Sequence, residues 1–322
     1  MSFRRSHIVP VIQSVFAVLS LAAGGAAFAA GVTVQDARNR DVTIESPARI
    51  VSIGGAITEI LYALGFDDRV AGVDATSLFP AAALRDKPSV GYMRQLSAEG
   101  VLGLNPTLVL AMQGSGPKET MDVLEAAKVP LVLVPEILSE QGLLDKIRLV
   151  GRAMGADARA ACLTTAVSGD LKQLRELRVK VTNPVRVMFV MSLLNGRALV
   201  AGHNTAADEI IKLSGGVNAI DGFDGYKMIN DEAIVAAKPD VVLSIERSKD
   251  SLEAKAVYAH PSFAMTPVVT NRAFIAMDGL YLLGFGPRTA AAARDLSVKL
   301  YPALAPQAET FAPATLTADC RQ

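Results

Sequence analysis

Short apolar runs alternate along the chain with segments in which apolar residues recur at helical spacing. The first run, residues 50–53, precedes a segment at 57–64 whose apolar residues lie three and four positions apart. Further runs of the first kind lie at 70–73, 108–111, 131–134, 185–191, 241–245 and 274–277. Strand patterns that alternate with helical patterns in this way predict an α/β fold with parallel sheets.

From residue 157 to about 181 the chain has no proline and a single glycine, Gly169, so we predict one long helix. Strand and helix patterns resume after it, with helices near 206–213 and 288–300. The sequence therefore predicts an α/β fold of two Rossmann-like lobes with central parallel sheets, joined by one long helix. The expected domains are an N-terminal lobe at 30–156, the connecting helix at 157–183, a C-terminal lobe at 184–302 and a flexible tail at 303–322.

The two predicted lobes share one local pattern, at residues 97–110 and 230–243. In each copy a helical turn with an early glutamate, Glu99 or Glu232, is followed by a proline and then by a buried strand. An acid in the first turn of a helix also interacts favourably with the helix dipole. The pattern alone therefore allows either a functional or a purely structural role for these glutamates.

The first thirty residues have the features of an export signal. Arg4 and Arg5 precede a mostly apolar run at 8–23, and Ala27-Phe28-Ala29 forms a small-x-small cleavage site. We therefore predict a signal peptide at 1–29 and a location in the periplasm of a Gram-negative cell. A membrane anchor is the competing interpretation, but the apolar run is short for a bilayer span.

The chain has two cysteines. Cys162 falls in the predicted long helix, and Cys320 lies in a tail rich in Ala, Pro and Thr, a composition typical of disorder. An oxidising compartment would allow a disulfide between them, but we expect two free thiols. Two cysteines are too few for a zinc or iron–sulfur site built from thiolates.

Charge and motif content narrow the class of function. Lys and Arg number 32, as do Asp and Glu, so no net charge favours nucleic acid or an anionic membrane. The sequence lacks the P-loop, dinucleotide-binding, zinc-protease and nucleophile-elbow signatures. After the predicted leader only His203 and His260 remain as histidines. A binding protein is therefore expected rather than an enzyme.

The loop at residues 87–95 carries candidate chemistry. Tyr92 and Arg94 stand two positions apart, so in an extended loop both side chains would face the same side. A guanidinium near a phenol favours the phenolate, and a phenolate is a hard oxygen ligand suited to ferric iron and known as an axial ligand of haem. A solvated Tyr and Arg pair on a surface loop is the alternative interpretation.

Four segments, taken with the leader and the two lobes, resemble the periplasmic haem-binding proteins of bacterial ABC-type haem importers. The segments are RIVSIGG at 49–55, GYMR at 91–94, AGHNTAAD at 201–208 and LLGFGPR at 282–288. The likeness extends from about Arg49 to Tyr301. It implies a class III substrate-binding protein, a class whose lobes are joined by one rigid helix and which also serves cobalamin and ferric siderophores.

The resemblance implies that Tyr92 is the axial ligand of ferric haem b, with Arg94 beside it. It also implies a second arginine just after a strand of the C-terminal lobe, a place that Arg247 occupies, and it makes His203 the candidate for a further ligand. His203 fits equally well a structural role at the start of a helix. Further candidates for the cleft wall are Arg197, Tyr226 and Lys227.

On this resemblance we expect a monomeric carrier that binds haem and delivers it to an inner-membrane ABC permease and its ATPase. An outer-membrane haem receptor would act upstream. Glu99 and Glu232, one on each lobe, fall where proteins of this class dock on arginines of the permease. A ferric-siderophore or cobalamin receptor of the same class is the alternative function.

Overall fold

The computed structural model describes residues 1–2, 31–246 and 251–321. Residues 3–29 of the predicted signal peptide and the candidate site residue Arg247 lie outside these ranges. Among the described residues, no helix is both long and apolar enough to cross a bilayer. The chain from Gly31 onward forms one compact unit that contains both predicted lobes.

The N-terminal lobe is built on a four-stranded parallel sheet of order β4-β3-β5-β6, preceded by the antiparallel hairpin β1-β2. The strands are β1 (Val32–Gln35), β2 (Asp41–Ile44), β3 (Ile50–Ile53), β4 (Val70–Val73), β5 (Leu108–Met112) and β6 (Leu131–Val134). Every residue of β3, β5 and β6 is buried. A parallel sheet covered on both faces requires such unbroken apolar strands, which explains the apolar runs of the sequence.

Five helices accompany this sheet. They are α1 (Gly55–Ala63), α2 (Ala82–Asp86), α3 (Ala98–Leu102), α4 (Lys118–Ala126) and α5 (Glu140–Ala153), with a 3-10 turn at Asp67–Arg69. The side chains of Ser97 and Ser139 cap α3 and α5 by accepting the backbone N–H groups of Gly100 and Gly142. The helical spacing at residues 57–64 corresponds to α1, whose side chains are almost entirely buried.

The long helix α6 (Asp157–Arg178) follows the first lobe. Leu163, Val167, Leu171 and Leu174 form its buried stripe at three- and four-residue spacing. The helix packs against α5 of the first lobe and against α13 (Thr289–Leu300) of the second lobe. The predicted fold of two α/β lobes joined by one long helix is confirmed, whereas the domain boundaries stay a prediction.

The C-terminal lobe contains a six-stranded sheet of order β10-β8-β7-β11-β12, with β9 also paired to β7. The strands are β7 (Arg186–Leu194), β8 (Arg197–Ala201), β9 (Val217–Asn218), β10 (Tyr226–Ile229), β11 (Val241–Glu246) and β12 (Phe274–Asp278). β9, β7, β11 and β12 are parallel, but β8 is antiparallel to both β7 and β10. The sheet of this lobe therefore has a parallel centre, as predicted, and an antiparallel strand β8 beside it.

The antiparallel pair has a local cause in the sequence. Asn195 and Gly196 form a two-residue connection between β7 and β8, and both have positive φ, 52° and 74°. Asn-Gly at these angles is typical of the tight turn whose twist matches that of paired strands. The chain therefore folds back on itself at this point.

The remaining helices of the described chain surround the second sheet or follow it. Besides α13 they are α7 (Ala206–Leu213), α8 (Asp231–Ala237), α9 (Ala254–Tyr258), α10 (Pro261–Ala264), α11 (Pro267–Thr270), α12 (Gly279–Leu283), α14 (Ala305–Glu309) and α15 (Ala314–Thr317), with a 3-10 turn at Pro302–Leu304. α7 and α13 agree closely with the predicted helices at 206–213 and 288–300.

The repeated sequence pattern forms the same structural unit in both lobes. Ser97 caps α3 and Asn230 caps α8, each by accepting a backbone N–H three residues on. A proline follows each helix, and each unit ends in an interior strand of its sheet, β5 or β11. The two lobes are thus related by a common helix–proline–strand element.

The tail after α13, which was expected to be flexible, makes contacts with the long helix α6. Leu304 and Ala308 pack on Leu177 near the end of α6. Farther along, the carboxylate of Asp170 accepts the backbone N–H groups of Ala314 and Thr315. The tail therefore runs back along α6, because the helix offers it an apolar surface and a buried carboxylate that caps α15.

A disulfide between Cys162 and Cys320 ends this return path, with Cα atoms 5.6 Å apart. The expectation of two free thiols is therefore wrong. Cys320 is buried, and beyond it Arg321 lies against Gly65 at the end of α1. The tail thus connects the C-terminal lobe a second time to the N-terminal side of α6.

The double variant Cys162→Ser/Cys320→Ser should be less stable than the parent protein. Because 158 positions separate the two cysteines, the bond restricts a large loop of the unfolded chain, and its loss should lower the free energy of unfolding by about 2–5 kcal/mol. Urea unfolding without reductant measures the difference. Reductant should bring the parent to the stability of the variant and leave the variant unchanged, whereas equal stability without reductant would contradict the prediction.

Candidate functional site

The carboxyl ends of the N-terminal strands form a topological switch point, here called the crevice. The chain leaves β3 through α1 toward β4, and it leaves the neighbouring β5 through α4 toward β6 on the other side. Ligands of parallel α/β sheets usually bind at such a point, where adjacent connections part. The segments that border it are 54–55, 74–79, 113–116 and 135–137.

The loop that carries Tyr92 is held against the end of β4. The backbone N–H of Val90 donates to the carbonyl of Val73 at 2.8 Å, and that of Ala75 donates to Gly91 at 2.8 Å. Tyr92 is 44% exposed. Its phenol is thus available to a ligand while its backbone is fixed at the crevice.

Tyr92 and Arg94 do not lie in an extended segment as expected. The backbone N–H of Gln95 donates to the carbonyl of Tyr92 at 2.8 Å, so residues 92–95 form a turn. Gly91, with φ of 91°, allows the chain to enter this turn. The two-residue alternation of a strand therefore does not decide where the Arg94 side chain lies.

Desolvation by the surrounding protein raises the pKa of Glu136 and that of Tyr226, and the positive charge of Arg94 opposes both shifts. Glu136 follows β6 in the N-terminal lobe, whereas Tyr226 begins β10 in the C-terminal lobe. Arg94 thus acts electrostatically on one group from each lobe.

His203 lies on the C-terminal wall beside Tyr226. The backbone N–H of Gly202 donates to Gly225 at 2.8 Å, which joins the two segments. The Nε2 atom of His203 is 3.1 Å from the carbonyl oxygen of Asp221, and its Nδ1 atom is 3.7 Å from the buried carboxylate of Asp208. Oxygen atoms of its own lobe thus surround both ring nitrogens.

The other predicted site residues are placed as follows. Glu99 and Glu232 are exposed in the first turns of α3 and α8, one on each lobe. Arg197 is exposed at the start of β8, and the ammonium of Lys227 is 4.8 Å from the ring centre of Phe223. The structure provides no placement for Arg247, which follows the last residue of β11.

A buried ion pair connects the lobes directly. The guanidinium of Arg288, just before α13, donates to both carboxylate oxygens of Glu59 on α1 at 3.0 Å. The backbone N–H of Arg288 donates to the same carboxylate at 3.2 Å. Burial raises the pKa of Glu59, and the hydrogen bonds and charge of Arg288 oppose that shift.

Lys146 forms a second connection near this pair. Its ammonium, on α5, donates to the carbonyl oxygen of Phe285 in the C-terminal lobe at 3.0 Å. Lys146 is 2% exposed, and burial lowers its pKa to about 8, while the charge of Glu136 acts in the opposite direction. A buried amine and a buried ion pair thus hold the same C-terminal segment, residues 285–288, against the N-terminal lobe.

Sequence reasoning assigned no role to Glu59, Lys146 or Arg288. The signal for Glu59 was present, since it is the one charged residue in the apolar helix α1 and a charge on a buried face requires a partner. The partner could not be identified, because Arg288 is 229 positions away.

Replacement of Lys146 by methionine should change how stability depends on pH. The pKa of Lys146 is about 8 in the folded protein and 10.5 in its ordinary range, so between these values the unfolded chain binds more protons. The contribution of this group to the free energy of unfolding therefore increases as pH rises. Between pH 7.5 and 10, the free energy of unfolding of the parent should increase by about 2–3 kcal/mol relative to that of Lys146→Met.

Urea unfolding of both proteins at the two pH values measures this gain. Other titrating groups are common to the two proteins, so their contributions cancel in the difference. A difference in stability that stays constant with pH would show that Lys146 has an ordinary pKa in the folded protein.

Comparison with known proteins identifies the fold. The periplasmic binding protein family matches residues 50–280. An uncharacterized ABC transporter substrate-binding lipoprotein of Bacillus subtilis is 29% identical over 275 residues, which are 84% of this chain and 86% of that protein. A cobalamin-binding protein of Halobacterium salinarum is 30% identical over 230 residues, which are 70% of this chain and 61% of that protein.

Solved structures give a similar result. The periplasmic haem-binding protein BhuT in complex with two haems is 37% identical, with a TM-score of 0.75, and the match covers 80% of this chain and 98% of that one. The periplasmic haem-binding protein RhuT of Roseiflexus sp. RS-1, in its apo form, is 38% identical with a TM-score of 0.75, covering 80% and 100%. The chain belongs to the periplasmic binding protein family, a family of substrate-binding proteins rather than enzymes, and is a class III member with two α/β lobes joined by a single helix.

Proposed function

We propose that this protein is a periplasmic carrier that binds ferric haem between its lobes and delivers it to an inner-membrane ABC importer. The observation that carries the proposal is the exposed phenol of Tyr92, on a loop whose backbone is bonded to the end of β4 at the crevice. The similarity to two haem-binding proteins, at 37% and 38% identity over 80% of the chain, supports haem as the ligand.

Tyr92 matches the coordination chemistry of the proposed ligand. The porphyrin supplies four equatorial nitrogens to its iron, so one protein side chain is sufficient as an axial ligand. A phenolate is an anionic oxygen that favours ferric iron. Exposed apolar side chains of Leu78 and Ile137 lie in the segments that border the crevice, where they can cover the faces of a macrocycle.

Arg94 provides positive charge near this ligand. Its charge acts on Glu136 of one lobe and Tyr226 of the other, which supports a position close to a porphyrin bound between them. There it would stabilise the Tyr92 phenolate and pair with the porphyrin carboxylates. Arg247, from the other lobe, retains the same proposed role.

His203 is not required by the proposed ligation. If its Nε2 atom carries the proton, that N–H donates to the carbonyl of Asp221, and Nδ1 faces the carboxylate of Asp208. Coordination to iron would require the ring to leave the carbonyl oxygen. Tyr92 is therefore the proposed ligand, and His203 would ligate only after rotation of its ring.

Tyr92→Phe should remove the characteristic spectrum of the haemin complex. The wild-type protein without residues 1–29 should bind one equivalent of haemin and give a high-spin ferric spectrum with a phenolate-to-iron charge-transfer band. The variant lacks the phenol oxygen, so the band should be absent and the affinity at least tenfold lower. Absorption titrations measure both quantities.

Tyr258→Phe is the matched control, since Tyr258 lies on α9 and contacts Arg272 rather than the crevice. It should bind haemin like the wild type. Wild-type protein that shows no saturable Soret change would contradict the proposal, as would a Tyr92→Phe variant with an unchanged spectrum.

Cobalamin is the second candidate ligand. The relative from Halobacterium salinarum, named for cobalamin binding, supports it at 30% identity. Titration of the same protein with cyanocobalamin separates the two candidates, because a cobalamin receptor would not depend on the Tyr92 phenol for coordination of iron.

Delivery to the importer is proposed to use Glu99 and Glu232. Both glutamates are exposed on the two equivalent helices α3 and α8, so together they present one negative charge from each lobe to arginines of the permease. The proposed partners are the permease and its ATPase. An outer-membrane haem receptor would supply the haem, and the carrier is proposed to act as a monomer.

The double variant Glu99→Ala/Glu232→Ala should retain haem affinity but lose delivery. Its stimulation of ATP hydrolysis by the permease and ATPase in proteoliposomes should decrease at least fivefold, because exposed charges steer association. Glu176→Ala, which removes an exposed glutamate of α6, is the control and should behave like the wild type. Equal stimulation by the double variant would exclude this docking surface.

A further inference from the structure

Phe79 is an aromatic side chain of the crevice to which neither the sequence nor the resemblance assigns a role. It is 39% exposed. The guanidinium carbon of Arg288 lies 3.6 Å from the centre of its ring, directly over one face. Because that face is covered, the exposed area of Phe79 belongs to the opposite face and the rim.

The segment that carries Phe79 borders the proposed site. It begins at Asp74, after β4, and the backbone N–H of Ala75 in this segment donates to the carbonyl of Gly91, next to Tyr92. On its other side, a Cβ atom on Gly55 would come within 2.4 Å of the Thr76 carbonyl and 2.6 Å of Leu280 from the C-terminal lobe. Residues 74–79 thus lie between the Tyr92 loop and the opposite lobe.

Buried hydrogen bonds fix the beginning of this segment. Asp74 is fully buried, and its carboxylate accepts the backbone N–H of Gly54 at 2.8 Å and the hydroxyl of Ser77 at 3.0 Å. The hydroxyl of Thr76 donates to the same carboxylate at 2.8 Å. Phe79 therefore extends from a short segment with little freedom to move.

Arg288 fixes the ring itself. Both ends of its guanidinium fork are bonded to Glu59 at 3.0 Å, and its other neighbour is the ring of Tyr281, with 5.1 Å between guanidinium carbon and ring centre. A guanidinium held in this way offers the phenyl ring a fixed partner, so one position of the ring is favoured before a ligand binds. A ring ordered before binding loses little conformational entropy when a ligand stacks on it.

We propose that Phe79 is a stacking platform for the planar macrocycle of the ligand, with Arg288 and Glu59 as positioning residues. The inference rests on the proposed function and adds a contact that recognises the porphyrin plane independently of its iron. The cation on the covered face withdraws electron density from the ring, which favours stacking of an electron-rich macrocycle on the open face. In this arrangement Tyr92 binds the iron of the ligand and Phe79 contacts the plane of its macrocycle.

Iron-free protoporphyrin IX and haemin are the two probes that separate these contributions. Phe79→Leu keeps apolar bulk but removes the ring, so it should weaken binding of both probes by about three- to tenfold. The charge-transfer band of the haemin complex should remain, because Tyr92 is intact. Tyr92→Phe should weaken haemin binding alone.

Phe311→Leu is the matched control, since it removes a phenyl ring that contacts Arg294, on the tail rather than in the crevice. It should bind both probes as the wild type does. Unchanged affinity of Phe79→Leu for both probes would overturn the inference while haemin binding by the wild type preserves the proposed function. Failure of the wild type to bind haemin would instead overturn the proposed function.

Arg288→Lys tests the positioning role. Lysine keeps the charge opposite Glu59 but lacks the planar group that covers the phenyl ring. If Arg288 positions Phe79, the lysine variant should weaken protoporphyrin binding, and adding Phe79→Leu should weaken it no further. Independent effects of the two substitutions, or an effect of Arg288→Lys on thermal stability alone, would assign Arg288 to lobe packing only and refute its positioning role.

Discussion

The relative position of the two lobes depends on the buried ion pair between Glu59 and Arg288. Both oxygens of the carboxylate are bonded, and Glu59 is 5% exposed, so separating the partners would leave an unpaired buried charge. A Cβ atom on Gly286 would lie only 3.3 Å from the carboxylate, which shows how closely the lobes approach. Together with α6 and the tail along it, the pair makes a wide opening of the cleft costly.

The sequence predicted the fold to the extent that local patterns determine it. Unbroken apolar runs located the parallel strands, and the absence of helix breakers located α6. Asn195-Gly196 was a readable turn signal that the prediction did not use, and it turns β8 antiparallel. The docked tail could not be inferred, because its composition is that of a disordered segment and its order comes from Asp170 and Cys162 on a distant helix.

The candidate site shows the same division between local and tertiary information. The Tyr92 loop was found from two side chains and their spacing, yet the turn at 92–95 invalidates the strand geometry assumed for them. Lys146 acquires its lowered pKa only when the lobes meet, because its ammonium is buried against the carbonyl of Phe285. A lone histidine in the sequence gives no indication of the oxygen atoms that surround the ring of His203.

The disulfide also links the connecting helix to the far end of the C-terminal lobe. Its two cysteines enclose that entire lobe, and in the folded chain the tail along α6 brings Cys320 to Cys162. Closure before folding costs the entropy of a loop of 158 positions, a cost that grows only slowly with loop length. Docking of the tail therefore favours formation of the bond, and the bond in turn keeps the tail beside the helix.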